Sequence, residues 1–101
     1  MSTTHCALVT GATQGIGLAI ATRLAEAGHD VVLHGIDPLS EGQAVAQALA
    51  QRTGQKTAYV QADLSDPQAA SELWAQAAKA LRTPDILVNN AGIQHTCPVQ
   101  D

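Results

Sequence analysis

Residues 6–17, Cys-Ala-Leu-Val-Thr-Gly-Ala-Thr-Gln-Gly-Ile-Gly, leave this chain few folds to choose from. An apolar run of strand type breaks at Gly11, passes through a short polar turn, and enters a helical pattern at Gly15. A strand, a glycine turn and a helix start in that order make a site for a phosphate-bearing ligand. The turn lets backbone approach the ligand, and the free N–H groups of the first helical turn face an anion. The spacing is Gly-x-x-x-Gly-x-Gly, which differs from the commoner Gly-x-Gly-x-x-Gly fingerprint. An ordinary flexible turn is the plainer alternative, and the strand and helix periods on either side weigh against it.

The same alternation continues along the chain. His5–Thr10 reads as a strand buried on both faces. Ile16, Ile20, Leu24 and Ala27 then recur at helical spacing, with Gly28 where a C-terminal glycine belongs. Asp30–His34, carrying Val31-Val32-Leu33, predicts a second buried strand that ends at Gly35. Asp37-Pro38 marks a turn, and Ser40 is placed to cap a helix that Glu41 favours at its positive end. That helix carries Ala44, Val45, Ala48, Leu49 and Arg52, and stops at Gly54. Lys56–Gln61 alternates as a strand and runs into Ala62-Asp63-Leu64. Asp66-Pro67 starts a third helix, Asp66 as cap and Pro67 at the first helical position. Its apolar stripe is Ala70, Leu73, Trp74, Ala77, Ala78 and Leu81, which places Trp74 in the core. Ile86-Leu87-Val88 predicts a fourth strand, left by Asn89-Asn90-Ala91-Gly92. The fold class is therefore α/β: a Rossmann-type parallel sheet of order 3-2-1-4, helices on both faces, ligand over the carboxyl ends.

Composition narrows the classes of partner. The chain has 101 residues and a net charge of −4 with five Lys and Arg, so it offers no basic patch for nucleic acid. No apolar run approaches the roughly 18 residues of a membrane span, and the N-terminus lacks a signal-peptide pattern, so a cytoplasmic protein with no membrane partner is expected. Cys6 and Cys97 lack metal-type spacing, and the four His (His5, His29, His34, His95) are scattered, so no metal is expected.

Thr10-Gly11-Ala12-Thr13-Gln14-Gly15-Ile16-Gly17, then Asp63-Leu64, then Asn89-Asn90-Ala91-Gly92, resembles the short-chain dehydrogenase/reductase pattern in order and spacing. Within that family, Asp85 to Thr96 is similar to the matching stretch of bacterial D-3-hydroxybutyrate dehydrogenases. The resemblance implies that residues 1–101 are the N-terminal, cofactor-binding part of one Rossmann domain, incomplete at its C-terminal side. It implies that Gly11, Gly15 and Gly17 let the backbone pass close to a pyrophosphate, with Thr13, Gln14 and Ile16 beside it. Asp63 is then the carboxylate on the adenine amino group, and Leu64 a neighbouring backbone contact. A strand-end Asp that merely starts a turn is the alternative. Asn90, Ala91 and Gly92 are implied to run past the adenosine, whereas Asn89 ties the loop to nearby backbone. Gln94 is implied to meet a substrate carboxylate, and a solvated loop amide accounts for it equally well.

The cofactor implied is NAD. In NADP-type relatives the basic residues fall where Gln14 and Ile36 stand here, and all five cations lie elsewhere. The NAD-type Asp at the end of strand two is replaced by Gly35, as in the hydroxybutyrate enzymes. Asp37, two residues on, can repel a 2′-phosphate, though a turn-starting Asp-Pro explains it as well. The family chemistry needs a Ser and a Tyr-x-x-x-Lys pair. The sole tyrosine, Tyr59, is followed four residues later by Asp63, so these 101 residues by themselves are expected to be inactive. The expected function is thus the NAD-binding part of an oxidoreductase acting on a small hydroxy acid or keto acid, in a homo-oligomer, a tetramer in the resembled family. The alternatives are another short-chain oxidoreductase, such as a 3-oxoacyl reductase, or a non-catalytic nucleotide-binding module. An open edge at strand four is expected to make the isolated chain poorly soluble or oligomeric.

Overall fold

Two strands buried along their whole length, β1 (Cys6–Val9) and β2 (Asp30–Gly35), form the middle of the sheet. Residues 4–90 are described in this computed structural model of the chain. Runs of Val, Leu and Ile suit a strand covered on both faces, where no polar alternation is needed. β3 (Thr57–Gln61) pairs with β2, and β4 (Ile86–Val88) with β1, all in parallel. The order is β3-β2-β1-β4, as the alternation of strand and helix patterns predicts.

Three helices cover the two faces. α1 (Gly15–Glu26) and α2 (Leu39–Thr53) pack with Val9, Val31, Leu33 and Tyr59 on one side. α3 (Pro67–Ala80) brings Leu73 and Ala77 against Cys6, Leu8, Val32 and Val60 on the other. Strand residues alternate between these two cores because successive side chains point to opposite faces.

The helix faces differ in detail from the sequence reading. In α1 the buried line is Gly17, Ala21 and Ala25. Ile20 and Leu24 only flank it, and Ile16 is 72% exposed. Small residues at the centre let the helix lie close on the sheet: a Cβ on Gly17 would collide with the Gly11 carbonyl oxygen. In α2 the buried positions are Gly42, Ala46 and Leu49, while Ala44 and Ala48 face outward. A Cβ on Gly42 would run into the Tyr59 ring. Trp74, expected in the core, is 42% exposed instead. Leu73 takes the sheet-facing position, and the next residue of a helix points about 100° away. Ala70 is likewise exposed. Ser40 does not cap α2, which begins one residue earlier. The Pro38 carbonyl accepts from the N–H groups of Glu41 and Gly42 there. Asp66 does cap α3, its carboxylate accepting from the Gln68 N–H at 3.0 Å, with Pro67 following.

At the amino ends of the strands, side chains fasten β4 to β1. The Asp85 carboxylate accepts from the Cys6 N–H at 2.8 Å and holds the His5 ring at 2.7 Å. Asp30 accepts from Lys56 N–H and from Arg82. Among the described residues β4 is an edge of the sheet, and Leu87 on it is 55% exposed.

Replacing Gly42 by Ala should destabilise the fold by about 1–3 kcal/mol, the usual cost of an overpacked methyl group. Urea unfolding checks this. An unchanged midpoint would show that the Tyr59 ring can move aside freely.

Candidate functional site

The carboxyl ends of all four strands open on one side of the sheet, and the chain leaves β1, β2 and β3 through short connections. Between the connections after β1, β2 and β3 lies a cleft of about 320 Å³. Parallel topology puts it there, since every strand ends on the same edge and the order reverses at β1.

The turn after β1 is held at one residue from two directions. The Gly11 N–H donates to Nδ1 of His34 at 3.0 Å, and the Gly11 carbonyl accepts from Nδ2 of Asn90 at 3.1 Å. The next N–H, of Ala12, donates to the His34 carbonyl at 2.8 Å. His34 and Asn90 are each only 2% exposed. Since Nδ1 must accept from an amide, the proton of the neutral ring sits on Nε2, which donates to the Ala62 carbonyl at 2.8 Å. One imidazole thus ties the turn after β1 to the connection after β3. Burial pulls it below the ordinary histidine pKa, against a smaller upward pull from the Ala62 carbonyl.

Beyond the clamp, Gly11 and Gly15 both take positive φ, 60° and 63°. Few other residues adopt that conformation. No side chain caps the start of α1, and its first turn carries no acidic residue. Its leading N–H groups therefore retain their capacity to bind an anion. An ideal Cβ at Gly15 would meet nothing within 4 Å, so the backbone there is open to an approaching ligand.

On the far wall, the Thr13 hydroxyl donates to the Asp37 carboxylate at 2.7 Å, and the Tyr59 hydroxyl donates to the Asp37 carbonyl at 2.8 Å. Gly35 lies beneath this group, where a Cβ would press on Thr13 at 2.9 Å. Asp63 accepts from both the hydroxyl and the N–H of Ser65, at 2.7 and 3.0 Å. These bonds, the hydroxyl first, hold its carboxyl below the ordinary aspartate pKa.

Of the residues singled out from sequence, Gly11, Thr13, Gln14, Gly35, Ile36, Asp63 and Leu64 line the cleft. Gly15, Ile16 and Gly17 stand outside that lining, at the start of α1. Asn90 reaches the site through the Gly11 carbonyl. Asn89, through its Oδ1, accepts from the Thr10 hydroxyl at 3.3 Å. Ala91, Gly92 and Gln94 lie outside the described residues. The structure adds His34 and Ser65 to the lining and gives Asp37 a definite place in it. A polar residue ending an otherwise apolar strand, just before Gly35, is the signal that points to His34. Ser65 carries no such signal.

The model of the short chain dehydrogenase family matches residues 5–101. The chain is 38% identical over 98 residues to D-beta-hydroxybutyrate dehydrogenase of Rhizobium meliloti (strain 1021), covering 97% of this chain and 38% of that protein. It is 40% identical over 96 residues to the enzyme of the same name from Cupriavidus necator, covering 94% and 36%. Among solved structures, L-sorbose reductase from Gluconobacter frateurii, complexed with NADPH and L-sorbose, superposes with a TM-score of 0.79 at 31% identity. That match covers 89% of this chain and 34% of the reductase. The chain thus spans a little over a third of the length of these curated relatives.

Tyr59 is the only tyrosine, so tyrosinate absorbance reports directly on the hydroxyl that holds the Asp37 carbonyl. Burial is the main cause holding its phenol above the ordinary value. The Asp37 carboxylate adds to this, and the hydrogen bond to the Asp37 carbonyl pulls the other way. A raised phenol pKa stabilises the fold below the unfolded value of about 10, and that contribution disappears as pH rises through the folded value. The folded chain should therefore ionise at higher pH than the urea-unfolded chain, and Tyr59→Phe should lessen the alkaline loss of stability. Coincident titrations of folded and unfolded chains would show the hydroxyl to be solvated.

Proposed function

The chain belongs to the short-chain dehydrogenase family, and from that premise we propose that its residues form the NAD-binding part of an oxidoreductase acting on a small 3-hydroxy acid. The observation that carries the cofactor choice is the charge of the cleft. Its charged lining residues are Asp37 and Asp63, and Arg23, Arg52, Lys56, Lys79 and Arg82 are absent from its walls. A 2′-phosphate dianion placed among carboxylates with no cation to offset it is held poorly, whereas a ribose hydroxyl can donate to such a carboxylate.

The residues present fit a dinucleotide. The positive-φ glycines at 11 and 15 and the uncapped start of α1 suit a pyrophosphate. Ile36, 72% exposed at the cleft, offers an apolar face, and Asp63 with Leu64 lines the same cleft, where it can receive an adenine amino group. Asp37, steadied by Thr13, is the carboxylate nearest to a ribose-binding role. The nicotinamide, when bound, supplies the hydride acceptor. This chain's residues hold and orient the nucleotide. Tyr59 stays committed to the sheet and to Asp37, so binding without turnover is the behaviour proposed for these 101 residues. The 3-hydroxy acid assignment rests on the likeness to the two hydroxybutyrate dehydrogenases. A 3-oxoacyl reductase is the second reading, favoured by 39% identity over 87 residues to an enzyme of that name from Chlamydia trachomatis.

Calorimetric titration of the chain should show NAD binding and NADP weaker by roughly tenfold or more, since each 1.4 kcal/mol of uncompensated repulsion is a factor of ten. Ile36→Arg should narrow or invert that preference. Equal affinity of the unaltered chain for both cofactors would overturn the NAD assignment.

A further inference from the structure

Among the described residues, His34 is the one buried ionisable side chain that touches the glycine turn, and no step of nucleotide binding described above uses its charge. Both of its ring nitrogens are occupied, and in only one sense. Nδ1 accepts from Gly11 N–H and Nε2 donates to Ala62 C=O, neither of which can exchange roles. An amide N–H never accepts and a carbonyl never donates, so the two bonds together require the neutral, Nε2-protonated ring. Adding a proton to Nδ1 would set two N–H groups against each other across 3.0 Å in a place only 2% exposed. The ring would have to leave, or Gly11 would have to turn its N–H away.

Gly11 cannot rearrange alone. Its carbonyl is held by Asn90, and the following amide by the His34 carbonyl. Beneath them, Gly17 packs so closely on the Gly11 carbonyl that no Cβ fits, so a shift of the turn is a shift of the start of α1. We propose that His34 is the positioning residue of the glycine turn, fixing it only while the imidazole is neutral, so that acid weakens nucleotide binding through this ring.

The charges around the ring set the working range. From the connection after β2 the cleft presents Asp37, and from that after β3 it presents Asp63. The turn before α1 contributes Gly11, Thr13 and Gln14, none of them ionisable, and Asn90 after β4 is neutral. The Ala62 carbonyl favours the imidazolium, and burial opposes it. Burial is the larger influence, and the ring sits below the ordinary histidine value. Asp63, held ionised by Ser65, keeps its charge throughout the histidine range. The sign follows from linkage: a ligand that needs the neutral ring must itself lower the ring's affinity for protons.

This inference rests on the nucleotide reading of the cleft, and its test separates the two. Ring ¹⁵N–¹H correlation spectra of the labelled chain should show His34, identified by its loss in His34→Asn, as the Nε2–H tautomer. Saturating NAD should move its titration to lower pH. Calorimetry should show NAD affinity flat near neutrality and roughly tenfold weaker once the ring is charged, the scale of one lost buried hydrogen bond. His34→Asn keeps an acceptor for the Gly11 N–H but cannot titrate, so it should bind NAD with no such acid loss beyond what the carboxylates cause. His34→Leu should bind weakly at every pH. An Nδ1–H tautomer, an upward shift of the ring on adding NAD, or the same acid loss in His34→Asn would each overturn the proposal while leaving NAD binding intact. No NAD binding at any pH, with the Nε2–H tautomer in place, would overturn the nucleotide reading, and with it this one.

Discussion

Everything at the carboxyl edge of this sheet depends on how the backbone of one residue is held. The Gly11 amide is gripped from β2 by His34, and its carbonyl from the end of β4 by Asn90. Three parallel strands thus contribute to a single backbone unit, β1 by supplying it and β2 and β4 by fixing it. A glycine at positive φ has many conformations open to it, and only such outside contacts choose one. Once it is chosen, the chain is directed into α1 with uncapped N–H groups at its start, and the cleft acquires its anion-binding wall.

The second constraint is closeness. With two aromatic residues, Trp74 and Tyr59, in the whole chain, bulk cannot fill the space between layers. Gly17, Ala21 and Ala25 under α1, and Gly42 and Ala46 under α2, bring the helices down onto the sheet. Close packing keeps the interior dense with small side chains. It also delivers function, because the same approach that buries Gly17 sets the start of α1 beside the turn. Tyr59 serves both ends: its ring lies against Gly42 and its hydroxyl holds the connection that carries Asp37.

The sequence was most informative where a pattern has one structural solution. Alternating apolar runs and helical stripes yield a parallel sheet of order 3-2-1-4, and Asp66-Pro67 yields a capped helix start. It was least informative about rotation and about partners. Ile16 and Trp74 belong by type in a core, yet each sits one step around its helix from the residue that reaches the sheet. Ser40 has the chemistry of a cap, but the Pro38 carbonyl begins the helix first. His34 reads in sequence as one of four scattered histidines, because nothing local says that Gly11 and Ala62 meet on its two ring nitrogens.

Local order alone determined the elements, their sequence along the chain and the glycine turn between the first strand and helix, since these follow from side-chain period and backbone permissiveness within a few residues. That order also made a parallel sheet the expected arrangement, because strands joined through helices return in the same direction. Tertiary structure decided which face of each helix is buried, which polar side chains reach the turn, and what charge the cleft carries. Those depend on contacts such as 11 with 34, 11 with 90 and 13 with 37, made between residues that share an edge of the sheet and lie far apart in the chain.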